Sequence, residues 1–324
     1  MEEPLKNCTT HSFHLMAFSQ YVKLKMVFFL GILLLYLLAV LGNVIIALLI
    51  CLVPQLHTPM YAFLCNLSVQ DTIYVSATLP KFLSIAITGD NSISFQGCIT
   101  QMFLFTFCVG TDFFLLTSMA YDRYVAICSP LHYSLIINKS VCVTMIAASW
   151  IIGILNSLTH SLLISNLSFC VSQDMDHFYC DLKMMIKLSS SNTTKIKMLL
   201  SVECIFLGFL PFMLTLTSYV YIISTILKIR TSKGRMKAFS SCSSHLTVVF
   251  LFYGTSLSFY VKPESEDSQE EDTLLSLLYT AVVPMLNPLV YSLRNQDVWK
   301  AIKNTAGKCL KPMKPTTNSL PERY

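Results

Sequence analysis

The sequence predicts an all-α protein: a bundle of seven transmembrane helices, N-terminus outside the cell and C-terminus in the cytoplasm. Three observations lead there. Hydrophobic residues make up 54 % of the 324-residue chain and charged ones only 13 %, with a mean hydropathy of +0.59. A soluble surface needs about a quarter of its residues charged, so much of this one faces lipid. Seven long apolar runs then follow one another, each continuous rather than alternating, which favours helices over a barrel. Lastly, the basic residues sort to one side of those runs.

The elements follow in order. The acidic leader MEEPLKNCTT does not read as a cleavable signal, and residues 1–25 are expected as an outer tail. No Asp, Glu, Lys or Arg lies between Lys25 and Asp71, and the run Met26–Leu52 makes a helix about 40 Å long against a hydrocarbon core of about 30 Å. Further spans are predicted near 58–80, 98–123, 140–164, 197–227, 238–261 and 273–293, the membrane domain covering 26–293. A cytoplasmic tail, 294–324, carries a short amphipathic helix after the last span. With the N-terminus outside, the inner segments hold 14 of the 23 Lys and Arg and only 3 of the 18 acids, as the positive-inside rule requires. The basic balance therefore reflects topology. No groove-reading motif accompanies it, so nucleic acid is not an expected partner.

Asn7-Cys8-Thr9 is a glycosylation sequon on the outer tail, favoured over those at Asn66 (within a helix), Asn138 (cytoplasmic side), Asn166 and Asn192 (both close to the membrane). Of twelve cysteines, four are expected outside: Cys8, Cys98, Cys170 and Cys180. They allow three full pairings, among which sequence alone does not choose. His57, His132, His160 and His245 are dispersed without metal-site spacing, and no catalytic constellation is visible, so no enzyme is expected.

Asp71 and Asp112 each lie about 20 Å into their helices, near mid-membrane, where an acid is costly unless paired, neutralised or hydrated. No Lys or Arg matches their depth. With Asn43, Ser118 and Asn287 as polar neighbours, they suit a hydrated cation such as sodium; a protonated, hydrogen-bonded carboxyl pair is the alternative. No other cofactor is expected. Asp122-Arg123-Tyr124 closes the third span, where an arginine taken alone reads as snorkelling to headgroups. Pro211, Pro284 and Pro288 remove helix hydrogen bonds and make places where a helix can bend.

Ordered motifs run along nearly the whole chain: Gly42-Asn43, PMYAFLCNLSVQD from Pro59, MAYDRYVAIC from Met119, Ser218-Tyr219, KAFSSCSSH from Lys237 and PMLNPLVYSLRN from Pro284. In these the chain resembles the vertebrate odorant receptors, olfactory members of the rhodopsin-like G-protein-coupled receptors. The resemblance implies a receptor in the plasma membrane of olfactory sensory cilia that binds a small, mainly hydrophobic odorant. It would activate a stimulatory, olfactory-type G protein and raise cyclic AMP. A non-olfactory rhodopsin-like receptor is the alternative, and a small-solute transporter a more distant one. The resemblance also implies that Asp122 restrains Arg123 at rest, and that Tyr124, Tyr219, His245 and Tyr291 belong to the coupling switch. It places Phe105, Thr106, Val109 and Gly110 against Glu203 and Leu207, Tyr253, Ser256, Leu257 and Tyr260, and Leu277 and Thr280 around the ligand. Phe105 stands where amine receptors place an aspartate, which counts against a monoamine bound in the usual way. Glu203, about 9 Å along its helix from Lys197, is unusual for an apolar pocket and also reads as an acid reaching interfacial water. Cys98 and Cys180 pair by resemblance. Members of the family usually carry a further cysteine about ten residues beyond Cys180 to pair with the Cys170 position; here that region reads Ser189-Ser190-Ser191. A free Cys170 is expected, a Cys8–Cys170 bridge being the alternative.

Overall fold

A computed structural model describes residues 12–16, 25–170, 173–261, 274–294, 298 and 301–303. Seven long helices run through the described residues. The first is Lys25–Leu52, the second Pro59–Thr88, the third Phe95–Cys128, the fourth Lys139–Ser165, the fifth Thr194–Leu227 and the sixth Ser232–Val261; the seventh covers 274–294. Most run past the predicted limits because their ends are capped. Ser94 and Asn138 accept hydrogen bonds from Gly97 N–H and Val141 N–H, while Gly89 ends the second helix at φ 77°, a left-handed conformation only glycine adopts cheaply.

Four of these helices, the first, third, fourth and fifth, are long and apolar enough to cross a bilayer. The outer faces fit that medium: Leu30, Leu34, Leu37 and Leu41 of the first helix are all exposed, as are Ile151, Leu155 and Leu158 of the fourth. The third helix is the axis. It packs on the second, fourth and fifth, whereas the fourth and fifth lean on it rather than on each other. Gly153 permits the third and fourth to close up: a Cβ there would lie 2.8 Å from the Phe107 carbonyl oxygen. Gly42 does the same for the first and seventh, 2.8 Å from Pro288 Cγ.

The all-α expectation needs one correction. At one end of the bundle β1 (Ser12–Leu15) pairs antiparallel with β2 (Ser92–Ser94) and parallel with β3 (Asp174–Met175). Ser12-Phe13-His14-Leu15 alternates polar and apolar, and Phe13 and Leu15 are buried beside Phe169 and Ile164, so a strand satisfies both faces. Beneath the sheet, the loop between the fourth and fifth helices is anchored by the Cys98–Cys180 disulfide. Gln101 adds to this, accepting from Cys180 N–H and donating to the Ala77 carbonyl, both at 2.8 Å. His177 stacks on Phe178 and hydrogen-bonds Ser276 of the seventh helix at 3.0 Å; burial pushes its pKa down to about 3, so this tie to the helix uses a neutral ring.

Cys170 forms no disulfide with any described residue, and Cys8 lies outside the described residues, as does Asn7. Where a second bridge would close the loop, the serine run closes it instead. Ser190 Oγ accepts from Cys170 N–H at 2.9 Å, Ser191 Oγ accepts from Ser168 N–H at 3.0 Å, and Ser190 N–H donates to the Ser168 carbonyl at 2.8 Å. Beyond the seventh helix, Val298 and residues 301–303 are helical; the rest of the predicted amphipathic segment lies outside the described residues.

Candidate functional site

Below the sheet a cavity of about 290 Å³ opens between the third, fourth, fifth and sixth helices. Thr106, Val109, Gly110 and Phe113 supply the third-helix wall, an i, i+3, i+4, i+7 stripe on one face. The fifth helix supplies Glu203 and, from a wide π-turn over Cys204–Phe209, Leu207 and Gly208, and the sixth supplies Ser256. Such turns often mark functional positions in helices. Gly208 leaves room: a Cβ added to it would meet nothing within 4 Å.

Of the residues expected around the ligand, Thr106, Val109, Gly110, Glu203, Leu207 and Ser256 line this cavity. Phe105 does not. One position off the stripe, it is fully buried toward the second and seventh helices, with ring centroids 5.2 Å from Tyr74, 4.8 Å from Tyr179 and 6.1 Å from Tyr279. Tyr253 packs behind Phe113 at 5.2 Å and donates to the Phe113 carbonyl at 3.3 Å. Leu277 packs into the main core, and Thr280 is fully buried with its hydroxyl bonded to the Ser276 carbonyl. The side chains of Leu257 and Tyr260 lie outside the described residues.

Among the lining residues that the sequence reading did not place around the ligand are Asn156 and His160. They sit one turn apart on the fourth helix and face Glu203 across the gap to the fifth. His160 Nε2 meets Glu203 Oε2, and the Asn156 amide, oriented with nitrogen toward the acid, donates to Oε1 at 3.1 Å and Oε2 at 3.3 Å. Glu203 is therefore held by two side chains of the fourth helix, with 17 % of its own side chain exposed.

Farther in, Asn287 Nδ2 donates to Asp71 Oδ2 at 2.8 Å, and Asn43 Nδ2 donates to the Ala39 and Pro284 carbonyls at 3.0 and 2.9 Å. Asp112 lies close enough to feel the charge of Asp71. The oxygens Asn43 Oδ1, Asp112 Oδ1 and Asn287 Oδ1 are buried and accept no hydrogen bond among the described residues. Oxygen acceptors lacking donors suit a cation, so these residues fit sodium. Ser118 does not join them. Six residues after Asp112 it sits about 240° round the helix, and it lines a separate groove with Leu214 and Ser218.

At the far end of the third helix, about 20 Å from Val109, the fully buried Asp122 holds Arg123 at 3.3 Å and accepts from Tyr133 Oη at 2.7 Å. Tyr219 and His245 join the fifth and sixth helices through a 2.6 Å hydrogen bond, and both feel the Arg123 charge. Tyr124 packs against Tyr121 and Tyr221. The Tyr291 side chain lies outside the described residues.

Seven helices with a cavity toward one end, and Asp-Arg-Tyr in the last turns of the third helix toward the other, form the architecture of a G-protein-coupled receptor. The comparisons with known proteins agree: the olfactory receptor family profile matches residues 32–308. Olfactory receptor 1G1 of Gorilla gorilla gorilla is 44 % identical over 92 % of this chain and 96 % of its own. Olfactory receptor 1 of Rattus norvegicus is 46 % identical over 86 % of this chain and 88 % of its own, and Olfactory receptor 1J2 of Homo sapiens 46 % over 85 % and 88 %. The chain belongs to the olfactory receptor family. It is a membrane receptor and not an enzyme.

Proposed function

We propose that this receptor binds a small, mainly hydrophobic odorant in the cavity between the third and fifth helices and activates a stimulatory, olfactory-type G protein, raising cyclic AMP. The observation that carries this reading is the cavity itself, apolar on most walls with one polar corner, about 20 Å along the third helix from Arg123. All seven helices cross the bilayer over 26–293, the tail 1–25 lies outside with Asn7 glycosylated, and 294–324 lies in the cytoplasm. The plasma membrane of olfactory sensory cilia is the place of work. In the resting arrangement Asp122 and Tyr133 keep Arg123 beside the Tyr219–His245 pair, with Tyr124 and Tyr291 completing the switch. Straightening or bending at Pro211 and the seventh-helix prolines frees Arg123 for the G protein.

The test is cyclic AMP accumulation in cells expressing the full chain with an olfactory-type G protein, exposed to a panel of volatile compounds. Agonist-dependent accumulation is expected; none at confirmed surface display refutes the reading. Gly208→Leu puts a branched side chain into the cavity from a position where the first added carbon meets nothing within 4 Å, and is expected to raise half-maximal agonist concentrations about tenfold or more with display unchanged.

Asp71, Asp112, Asn43 and Asn287 would hold a sodium ion whose charge satisfies the inward-facing oxygens. Agonist potency is expected to vary with sodium concentration in the wild-type chain, and Asp71→Asn to remove that dependence. A wild-type response flat across a wide sodium range would instead favour the protonated carboxyl pair.

A further inference from the structure

We propose that the cavity selects ligands whose polar head donates a hydrogen bond, with protonated amines the strongest and alcohols next, and rejects heads that only accept. The inference rests on the odorant-receptor reading and specifies the chemistry of its site.

The hydrocarbon walls, Val109, Phe113 and Leu207, accept any apolar body and do not discriminate between heads. Discrimination falls to the polar corner. There, Asn156 and His160 each turn an N–H toward Glu203. A carboxylate has about four acceptor positions and no donor. The Glu203 side chain remains 17 % exposed while His160 is 1 % exposed, so the group an incoming head meets is an acceptor. Ser256 brings no free donor to the cavity, since its hydroxyl proton goes to the Phe252 carbonyl at 2.6 Å. The Thr106 hydroxyl serves either role, and the Cys204 thiol is a weak partner for any head. A ketone or ester thus sets lone pairs against lone pairs, and a carboxylate ligand sets like charge against Glu203. An ammonium head gains a charge-assisted bond. This places the amine contact on the fifth helix, well away from the third-helix position, Phe105, at which the sequence argued against a monoamine.

The experiment uses the full receptor with the cyclic AMP readout and compounds sharing one hydrocarbon body of about five to nine carbons, carrying in turn a primary amine, a hydroxyl, a ketone or a carboxylate. The wild type is expected to respond to amines and alcohols at concentrations about tenfold or more below those of the matched ketones, with carboxylates silent. Glu203→Gln keeps the shape but loses the charge and gains an N–H. It should weaken amines about 10- to 100-fold, leave alcohols within about threefold, and improve ketones. A misfolded variant would lower all heads together and cannot produce that exchange of preference; Gly208→Leu, which crowds the cavity without altering its acid, should lower all of them alike. Ketones or carboxylates that match or exceed donors on the wild type, or an unchanged order in Glu203→Gln, overturn the proposal while leaving the odorant-receptor reading intact. Silence of the whole panel on a displayed receptor overturns that reading, and this one with it.

Discussion

Arg123→Ala is expected to bring the cyclic AMP response to background while surface display stays near that of the wild type. The guanidinium lies in the last turns of the third helix with 15 % of its side chain exposed, so the space its removal leaves is open to water on one side rather than sealed in the core. Asp122, fully buried, would lose its ion-pair partner, but Tyr133 Oη still donates to it at 2.7 Å. That limits the desolvation penalty a stranded carboxylate would otherwise impose. What disappears is the charge felt by Tyr219 and His245, the two residues that tie the fifth and sixth helices together. Surface labelling beside the cyclic AMP assay separates the two effects. Signalling at normal display would show that coupling does not run through Arg123.

Gly153→Ala is expected to have the largest effect on folding. The added methyl would meet the Phe107 carbonyl oxygen at 2.8 Å and also crowd the Thr111 side chain and N–H, and the backbone of a packed helix cannot step aside as a flexible side chain would. The third and fourth helices must separate, and the whole bundle is organised on the third. Overpacking of this kind costs about 1–3 kcal/mol, enough to reduce surface display about tenfold. Gly31→Ala is the matched control: nothing lies within 4 Å of its added methyl, and display should be unaffected. Equal display of the two variants would contradict the close helix contact.

The helices were legible because long charge-poor apolar runs mark them directly, and the Gly89 cap accounts for the extra turns of the second helix beyond the predicted limit. The cavity stripe was legible to within one residue. Spacing groups Phe105 with Val109 as readily as Thr106, and only the rotation of the third helix, fixed by Tyr74 and Tyr279 on other helices, turns Phe105 away. The same rotation removes Ser118 from the buried acids. The His160–Glu203 pair was not legible at all. The two residues lie 43 positions apart on different helices, and a histidine at the end of an apolar run reads as ordinary until its partner is in place. The strand Ser12–Leu15 carried a visible period-two signal, but four residues of alternation convey little without the edges they pair with.

The serine run opposite Cys170 has a consequence for how this receptor meets reducing surroundings. Two bridges in one loop would form a redundant clasp: reducing one leaves the other, and the loop keeps its path while the first re-forms. Among the described residues this loop has a single covalent fastening, Cys98–Cys180, and the Ser190 and Ser191 hydrogen bonds that close its lower part depend on the backbone being nearby already. Once that bond opens, the loop rests on hydrogen bonds alone among the described residues, those of Gln101 and His177 at its buried side and of Ser190 and Ser191 at its outer part, and water competes for the serines first.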